Sequence, residues 1–347
     1  MPKCIMLEKG ITYRPGGKLY PCCLWRWQDG EGPLHNYEQF RKTMEVKKAQ
    51  MESSDQWIPE CKQCEEDTKF KGDSFRDHAN EIVEGGFWEL NFNNTCNLAC
   101  RMCNKALSST WWALMKANPD EDWHLEYTDA VYEDHIKFDK VEFYHELPNV
   151  RHIKLLGGEP FLMKETYRTL DYVMDSGHAK NINLHVTTNL TQPFTEWWHK
   201  VVDNFKHVQI MGSVDGLGSR YNYVRPGSDF EKVADMAKYL NDLTGKKDNF
   251  SIHISACGMT LTASQHQQMF DYWYKTVGVK SMDVEQVYEP TFLSYRSLHP
   301  TLREKYNINP SFDYDQSEWD TLVKQMAIQD KLHGTDFKKE CPELFDV

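Results

Sequence analysis

Short apolar segments recur along the second quarter of the chain and beyond, separated by longer segments in which apolar side chains return every three or four positions. Runs of about five to eight apolar or β-branched residues bounded by turn residues are typical of buried strands. We predict six such strands, at 87–93 (FWELNFN), 150–157 (VRHIKLLG), 181–188 (NINLHVTT), 207–213 (HVQIMGS), 250–257 (FSIHISAC) and 280–287 (KSMDVEQV).

The segments between these strands have helical periodicity. The clearest predicted helices lie at 164–177, 193–205, 230–245 and 263–278. Strands that alternate with helices predict an α/β fold, in which a parallel sheet, open or closed into a barrel, carries helices on its outer face. In such folds the functional residues lie at the C-terminal ends of the strands.

The rest of the chain divides around this alternating region. Residues 104–149 are too long for one crossover helix, so we predict a helix over 104–118 followed by an insertion. Residues 1–86 lack the strand and helix alternation and contain five of the ten cysteines, which predicts a separate, smaller module. The predicted organisation is a module at 1–86, a core at 87–290 and a C-terminal helical extension at 291–347.

Charge and apolar content limit the partners and the location. The 40 basic and 52 acidic residues give a net charge of -12, which argues against nucleic acid or an anionic membrane as a partner. The sequence has no run of 18 apolar residues and no signal peptide pattern at its start, so we expect a cytoplasmic protein. In a reducing compartment, clustered cysteines are expected to be metal ligands or catalytic thiols.

Three cysteines follow the first predicted strand, in the segment NNTCNLACRMC. Cys96, Cys100 and Cys103 lie at i, i+4 and i+7. Three cysteines without a nearby histidine do not complete a structural zinc site. A [4Fe-4S] cluster held by three thiolates leaves one iron open to a substrate or a cofactor, so this spacing favours an iron-sulfur site.

The segment CNLACRMC resembles the CX3CX2C signature of the radical S-adenosylmethionine (radical SAM) superfamily, with Met102 at a position that is often aromatic there. LLGGEPFL, after the second strand, resembles the GGEP motif of the same superfamily. The resemblance covers residues 87 to about 290 and implies a partial (β/α)6 barrel that resembles a TIM barrel. It implies that the three cysteines bind a [4Fe-4S] cluster whose fourth iron is chelated by SAM.

The resemblance also implies roles for residues at the ends of the later strands. GSVDGLGSRYNYVR resembles the stretch that holds the SAM carboxylate and ribose, and TTNL lies at the same rim. The implied cofactor contacts are Gly157, Gly158, Glu159, Pro160, Thr188, Asn189, Ser213, Asp215 and Arg225. Cys257 ends the fifth strand, so it is the predicted hydrogen-atom donor to the substrate.

Four N-terminal cysteines form a second pattern. Cys4, Cys22, Cys61 and Cys64 resemble the auxiliary-cluster module called twitch, a shorter relative of SPASM, which implies a second [4Fe-4S] cluster. In those modules the pattern follows the barrel, whereas here it precedes it. A hairpin turning at PGGK would bring Cys4 and Cys22 together. Two alternatives stay open: Cys23 as the ligand in place of Cys22, and a structural zinc site in place of the cluster.

The resemblance implies a radical SAM enzyme, an oxidoreductase or modifying enzyme. Such an enzyme reductively cleaves SAM to a 5'-deoxyadenosyl radical, which abstracts a hydrogen atom from the substrate. The expected electron donor is a flavodoxin or a ferredoxin, and the second cluster would take up the electron left on the substrate. A peptide or protein is the favoured substrate. The alternatives are a small sugar-like or nucleotide substrate, and a non-catalytic iron-sulfur electron relay.

Overall fold

The computed structural model describes residues 3–28, 30–54, 56–123, 143–310 and 312–346. Its strands are β1 (Gly10–Arg14), β2 (Lys18–Tyr20), β3 (Gly86–Asn91), β4 (Val150–Leu156), β5 (Asn183–Thr188), β6 (His207–Ser213), β7 (Phe250–Gly258) and β8 (Met282–Gln286). Its helices are α1 (Met6–Lys9), α2 (Tyr37–Ser54), α3 (Lys62–Lys71), α4 (Phe75–Ile82), α5 (Ser109–Ala117), α6 (Lys164–Asp175), α7 (Glu196–Asn204), α8 (Gly218–Val224), α9 (Phe230–Thr244), α10 (His266–Asp271), α11 (Pro300–Lys305), α12 (Gln316–His333) and α13 (Phe337–Glu340).

The strands form one sheet in the order β2-β1-β3-β4-β5-β6-β7-β8. Parallel pairing joins β1 to β3, β3 to β4, β4 to β5 and β7 to β8. The six predicted strands are β3 to β8, and they follow one another in the sheet in chain order, as in a partial (β/α)6 barrel. The predicted α/β fold class is confirmed.

The predicted helices also form, with small changes at their ends. They correspond to α6, α7, α9 and α10, and α10 continues as a π-helical segment, Tyr272–Val277. The helix predicted over 104–118 begins later, at Ser109, because the Ser108 hydroxyl accepts a hydrogen bond from the Trp111 amide and caps the helix there. Most of the insertion predicted after it, residues 124–142, lies outside the described residues.

The N-terminal hairpin forms as predicted but joins the main sheet. β1 and β2 pair antiparallel, and the turn between them contains Gly16 and Gly17, both with positive φ. β1 also pairs in parallel with β3, with Thr12 opposite Glu89. The first 86 residues therefore contribute two strands to the sheet, and the predicted boundary at residue 86 does not separate two compact parts.

The chain instead divides into two compact units. Among the described residues, unit 1 comprises residues up to 93, 143–186 and 196–209, and unit 2 comprises 94–123, 187–195 and 210–346. In unit 2, the C-terminal helices pack on the segments that follow β7 and β8, and Met259, Phe292, Leu322 and Phe337 lie in one buried apolar cluster. None of the helices in the described ranges has a stretch long and apolar enough to cross a membrane.

Candidate functional site

The loop that carries the three cysteines belongs to unit 2 and is held by hydrogen bonds from α5. The Ser109 hydroxyl accepts from the Cys96 amide and donates to the Cys96 carbonyl, each at 3.1 Å. The Trp111 indole donates to the Cys100 carbonyl at 2.8 Å. The Cys103 amide donates to that same carbonyl at 2.9 Å. The backbone of the loop is therefore fixed around all three cysteines.

The three thiols are close enough to influence one another. Burial raises the pKa of the Cys100 thiol to about 12, the nearby Arg225 guanidinium opposes that rise, and Cys96 adds to it. Burial, followed by the charge of Cys100, raises the pKa of Cys103. The Cys100 and Cys103 thiols are therefore protonated near pH 7 without a metal, and their binding to a cluster would release those protons.

This donor set fits a [4Fe-4S] cluster. Thiolates are the cluster's usual ligands. Each thiolate of such a cluster binds a different iron, so its ligands lie farther apart than those of one ion. Within the described ranges, no group of three His, Cys, Asp or Glu side chains is arranged to hold a single metal ion. Cys96, Cys100 and Cys103 lie on one loop held by hydrogen bonds, and their thiols are near enough to influence one another's pKa, which is compatible with a shared cluster.

Arg225 lies behind Cys100 and is paired with Asp215. Its Nε and Nη2 lie 2.7 Å and 2.6 Å from Oδ2 of Asp215, which is fully buried. Its Nη1 lies 3.8 Å from Sγ of Cys100. The sequence predicts that this guanidinium forms a fork to the SAM carboxylate, but in the structure the fork is directed to Asp215. The direct SAM contact of both residues stays a prediction.

Cys257 belongs to the same network through its backbone. Its amide donates to Oδ1 of Asp215 at 2.6 Å. Burial, followed by the charge of Asp215, raises the pKa of its thiol. Asp215 therefore connects the end of β7 with Arg225, while the predicted role of Cys257 as a hydrogen-atom donor stays a prediction.

The rim after β5 contacts the cysteine loop. Asn189 donates from Nδ2 to Oδ1 of Asn97 at 3.1 Å, and Asn97 donates to the Thr191 hydroxyl at 2.9 Å. The Thr188 hydroxyl accepts from the Leu190 amide at 3.2 Å. Asn189 thus holds the loop next to Cys96, and the predicted SAM contacts of Thr188 and Asn189 stay predictions. Ser213 ends β6 and is half-buried, and its predicted contact is likewise untested.

The GGEP motif belongs to unit 1, where it packs on the end of β3. Gly157 has φ of 122°, and a Cβ placed on it would meet Oδ1 of Asn91 at 2.3 Å. The Gly158 amide donates to the Asn93 carbonyl at 3.4 Å. Only glycine fits at position 157, because both the backbone angle and the space exclude a side chain.

Glu159 is completely buried and caps the short turn that begins at Pro160. Its Oε1 accepts a hydrogen bond from the Phe161 amide at 3.1 Å. That contact fixes the carboxylate at the end of β4. The predicted hydrogen bond from the SAM ammonium to this part of the chain stays a prediction.

The four N-terminal cysteines line one cavity in unit 1. The lining residues are Cys4, Cys22, Leu24, Trp25, Trp57, Glu60, Cys61, Cys64, Phe75 and Arg76. Cys23 is not among them. Burial, followed by the negative charge of Glu89, raises the pKa of the Cys23 thiol to about 11, and Lys154 opposes that rise. Of the two neighbouring cysteines, the structure therefore places Cys22 with the other three.

The surroundings of this cavity fit a second cluster. Burial raises the pKa of Cys4, and hydrogen bonds from the amides of Met6 and Leu7 to its sulfur oppose the rise. The Arg76 amide acts in the same way on Cys64. Hydrogen bonds to the sulfurs are one of the ways in which proteins set the potential of an iron-sulfur cluster. Four thiols at one cavity would occupy all four irons of a [4Fe-4S] cluster.

Sequence reasoning missed Arg101, which lies within the cysteine motif. Its guanidinium is fully buried and donates to the Tyr223 carbonyl, to Asp330 and to the Thr335 hydroxyl. These contacts tie the cysteine loop to α12 and the residues after it. A basic residue between two cysteines gives no sequence signal for partners more than 100 positions away. Ser108, in contrast, is of a residue type that commonly precedes the first turn of a helix, and it caps α5.

Comparisons with known proteins place these features in a family. The sequence profile of the radical SAM superfamily matches residues 90–272, which is 183 of the 347 residues and more than half of the chain. No curated protein matches this sequence significantly.

Several solved structures resemble the chain at low sequence identity. Native anSMEcpe with bound AdoMet and Cp18Cys peptide is 20% identical over 63% of this chain and 57% of its own, with a TM-score of 0.39. Streptococcus suis SuiB bound to S-adenosylmethionine is 13% identical over 92% of this chain and 58% of its own, with a TM-score of 0.39. TYW1 with a lysine-pyruvate adduct bound is 14% identical over 65% of this chain and 74% of its own, with a TM-score of 0.35.

The chain spans just under three fifths of the length of the first two of these structures. The assignment of the chain to a family rests on the profile match, which covers more than half of the chain. This chain belongs to the radical SAM superfamily, whose members are enzymes that use a [4Fe-4S] cluster and SAM.

Proposed function

We propose that this chain reductively cleaves SAM and abstracts a hydrogen atom from a peptide or protein, which it oxidises or otherwise modifies. The observation that carries the proposal is that Cys96, Cys100 and Cys103 lie on one loop held by α5, with the Arg225 guanidinium 3.8 Å from the sulfur of Cys100. When bound, a [4Fe-4S] cluster with SAM supplies the one-electron cleavage that yields the 5'-deoxyadenosyl radical.

The chain's own residues bind, orient and shield the reacting groups. The three thiolates would each hold one iron of the cluster, and the loop hydrogen bonds fix the backbone that carries them. The Arg225 guanidinium compensates negative charge next to Cys100, and Asp215 orients that guanidinium through two of its nitrogens. Burial of Asp215 and Arg225 keeps water away from this side of the loop, which strengthens their electrostatic effect.

We propose that the N-terminal cavity holds a second [4Fe-4S] cluster through Cys4, Cys22, Cys61 and Cys64. With all four irons bound by thiolates, this cluster would not bind a substrate and would instead take up the electron left after hydrogen abstraction. The peptide or protein substrate is proposed from the resemblance of these cysteines to twitch and SPASM modules, whose enzymes mostly modify peptides or proteins.

The test begins with anaerobically reconstituted protein. Iron, zinc and sulfide are measured, the protein is reduced with dithionite in the presence of SAM, and 5'-deoxyadenosine is assayed. We expect about eight irons per chain and formation of 5'-deoxyadenosine. About four irons with one zinc would keep the SAM chemistry and replace the second cluster with a structural metal.

The variant with Cys96, Cys100 and Cys103 all changed to alanine isolates the first cluster. It should keep about four irons, in the N-terminal cavity, and form no 5'-deoxyadenosine. Cys341→Ala is the matched control, because Cys341 is a buried cysteine in the apolar cluster of unit 2. The assignment fails if the triple variant still cleaves SAM.

A further inference from the structure

One face of the sheet in unit 1 carries a row of polar side chains. Thr12 of β1 lies opposite Glu89 of β3, which lies opposite Lys154 of β4, which lies opposite His185 of β5. Residues aligned across neighbouring strands point to the same face of a sheet. We call these four residues, together with Gln209 of β6, the polar row.

The opposite face of the same strands is wholly apolar. The positions just before the row on these strands are Ile11, Trp88, Ile153 and Leu184, and those just after it are Tyr13, Leu90, Leu155 and Val186. All eight are buried. Parallel strands covered on both sides are usually apolar on both. Packing of the sheet therefore does not by itself explain why these five positions are polar.

The hydrogen bonds and ion pair within the row do not satisfy all of its polar groups. Nζ of Lys154 lies 3.3 Å from Oε2 of Glu89, and Nδ1 of His185 lies 2.9 Å from Oε1 of Gln209. Among the described residues, none forms a hydrogen bond with the Thr12 hydroxyl, and only 2% of Thr12 is exposed. A buried hydroxyl without a partner costs free energy, so such a group indicates a site that another molecule completes.

The accessible groups of the row favour a negatively charged ligand. The Lys154 side chain is 33% exposed, whereas that of its partner Glu89 is 5% exposed. An approaching molecule therefore meets the ammonium and not the carboxylate. Burial lowers the pKa of His185 and of His152 on the same face, so both imidazoles are neutral near pH 7. Neutral imidazoles can donate hydrogen bonds to an anion but add no positive charge, so Lys154 supplies the cation of the row.

We propose that the polar row binds a carboxylate of the substrate, with Lys154 as the main contact and Glu89 holding its ammonium in place. This inference rests on the proposed function and deepens it, because it names an acidic peptide segment as the substrate class. The chain has a net charge of -12, so its overall charge would repel such a segment. Recognition must then come from the local cation of the row.

The test measures binding without any SAM chemistry. The probes are acetyl-glutamate methylamide and acetyl-glutamine methylamide, which differ only in one carboxylate, titrated at millimolar concentration into reconstituted protein by calorimetry. We expect the glutamate probe to bind at least about tenfold more tightly, a difference of about 1.4 kcal/mol. Equal affinity for the two probes, or no binding of either, would overturn the proposal.

Three variants locate the contact. Lys154→Gln together with Glu89→Gln removes both charges without leaving a buried carboxylate unpaired, and it should abolish the preference for the glutamate probe. Lys154→Arg should keep the preference. Lys180→Gln, which removes an exposed lysine elsewhere in unit 1, should keep it too. If the double variant keeps the preference while remaining folded by circular dichroism, the row is not the binding site.

The experiments distinguish a failure of this inference from a failure of the proposed function. If the protein prefers the glutamate probe but forms no 5'-deoxyadenosine, the proposed radical chemistry is rejected and carboxylate binding at the polar row is kept. Formation of 5'-deoxyadenosine without any preference between the probes would remove the row and leave the chemistry.

Discussion

Nη1 of Arg225 lies 3.8 Å from the sulfur of Cys100, while the other two guanidinium nitrogens contact Oδ2 of Asp215. A cation therefore stands next to one of the three thiols of the CX3CX2C motif, and a fully buried carboxylate holds it there. Asp215 therefore holds Arg225 in place, and Arg225 in turn helps to position Cys100 in the cysteine loop.

Arg225→Gln should lower the reduction potential of the first cluster, because loss of a nearby positive charge disfavours the added electron. It should also lower the free energy of unfolding by about 3–5 kcal/mol, since Asp215 is left buried and unpaired. Potentiometric titration followed by electron paramagnetic resonance, without SAM, gives the first quantity. The double change Arg225→Gln and Asp215→Asn should recover much of the stability. A potential that is unchanged in the folded Arg225→Gln protein would remove Arg225 from the cluster's surroundings.

Cys22→Ala and Cys23→Ala should differ in iron content. Cys22 lines the N-terminal cavity with Cys4, Cys61 and Cys64, whereas Cys23 does not. We expect Cys22→Ala to lower iron from about eight toward about four per chain, and Cys23→Ala to leave it unchanged. Metal analysis of the two proteins, prepared side by side, makes the comparison. The reverse result would assign the ligand to Cys23.

Gly157→Ala should destabilise the protein more than Gly177→Ala. Both glycines have positive φ, but a Cβ at Gly157 would meet Asn91 at 2.3 Å, whereas no atom of the described residues lies within 4 Å of a Cβ at Gly177. Gly177→Ala should cost about 1–2 kcal/mol for the backbone angle alone. Gly157→Ala should cost more, about 3 kcal/mol, because the Asn91 side chain must also move away from the new Cβ. Urea denaturation measures the free energy of unfolding of both variants. Equal losses would show that Asn91, at the end of β3, moves aside at little cost.

His266 should make the protein less stable in acid. Burial lowers the pKa of its imidazole to about 4 in the folded chain. The unfolded chain takes up this proton below about pH 6.5. This contribution to stability is fully present above that pH and is lost as the pH falls from about 6.5 toward 4, by about 3 kcal/mol.

His266→Gln should flatten this part of the curve of unfolding free energy against pH. His78→Gln is the control, because the side chain of His78 is 61% exposed. An unchanged slope in His266→Gln would mean that its imidazole is protonated equally in the folded and unfolded chains.

The strands could be predicted because each combines an apolar run with turn residues at both ends, a signal contained within a few positions. The start of α5 was missed by five residues, because the helical pattern does not reveal where a capping hydroxyl interrupts it. Residues 1–86 were expected to be separate since their own pattern lacks the alternation. Their parallel pairing with β3 depends on residues far apart in the chain.

Only some features of the candidate site could be predicted from the sequence, because the others depend on contacts between residues far apart in the chain. Cysteine spacing is local, so the sequence identifies both groups of thiols. The partner of Arg225 is not local information: the sequence shows a residue suited to a carboxylate, and only the fold shows that Asp215 supplies it. The choice between Cys22 and Cys23 depends on which side chain the packing turns toward the cavity, because neighbouring positions share the same sequence context.

The position of β1 between β2 and β3 has a consequence for any shortened form of the protein. A fragment beginning near residue 86 would retain every strand of the family match but would expose one side of β3 along its backbone amides and carbonyls. Uncovered strand edges pair with other chains. Loss of the N-terminal hairpin would thus leave a strand edge at which copies of the fragment could pair and aggregate.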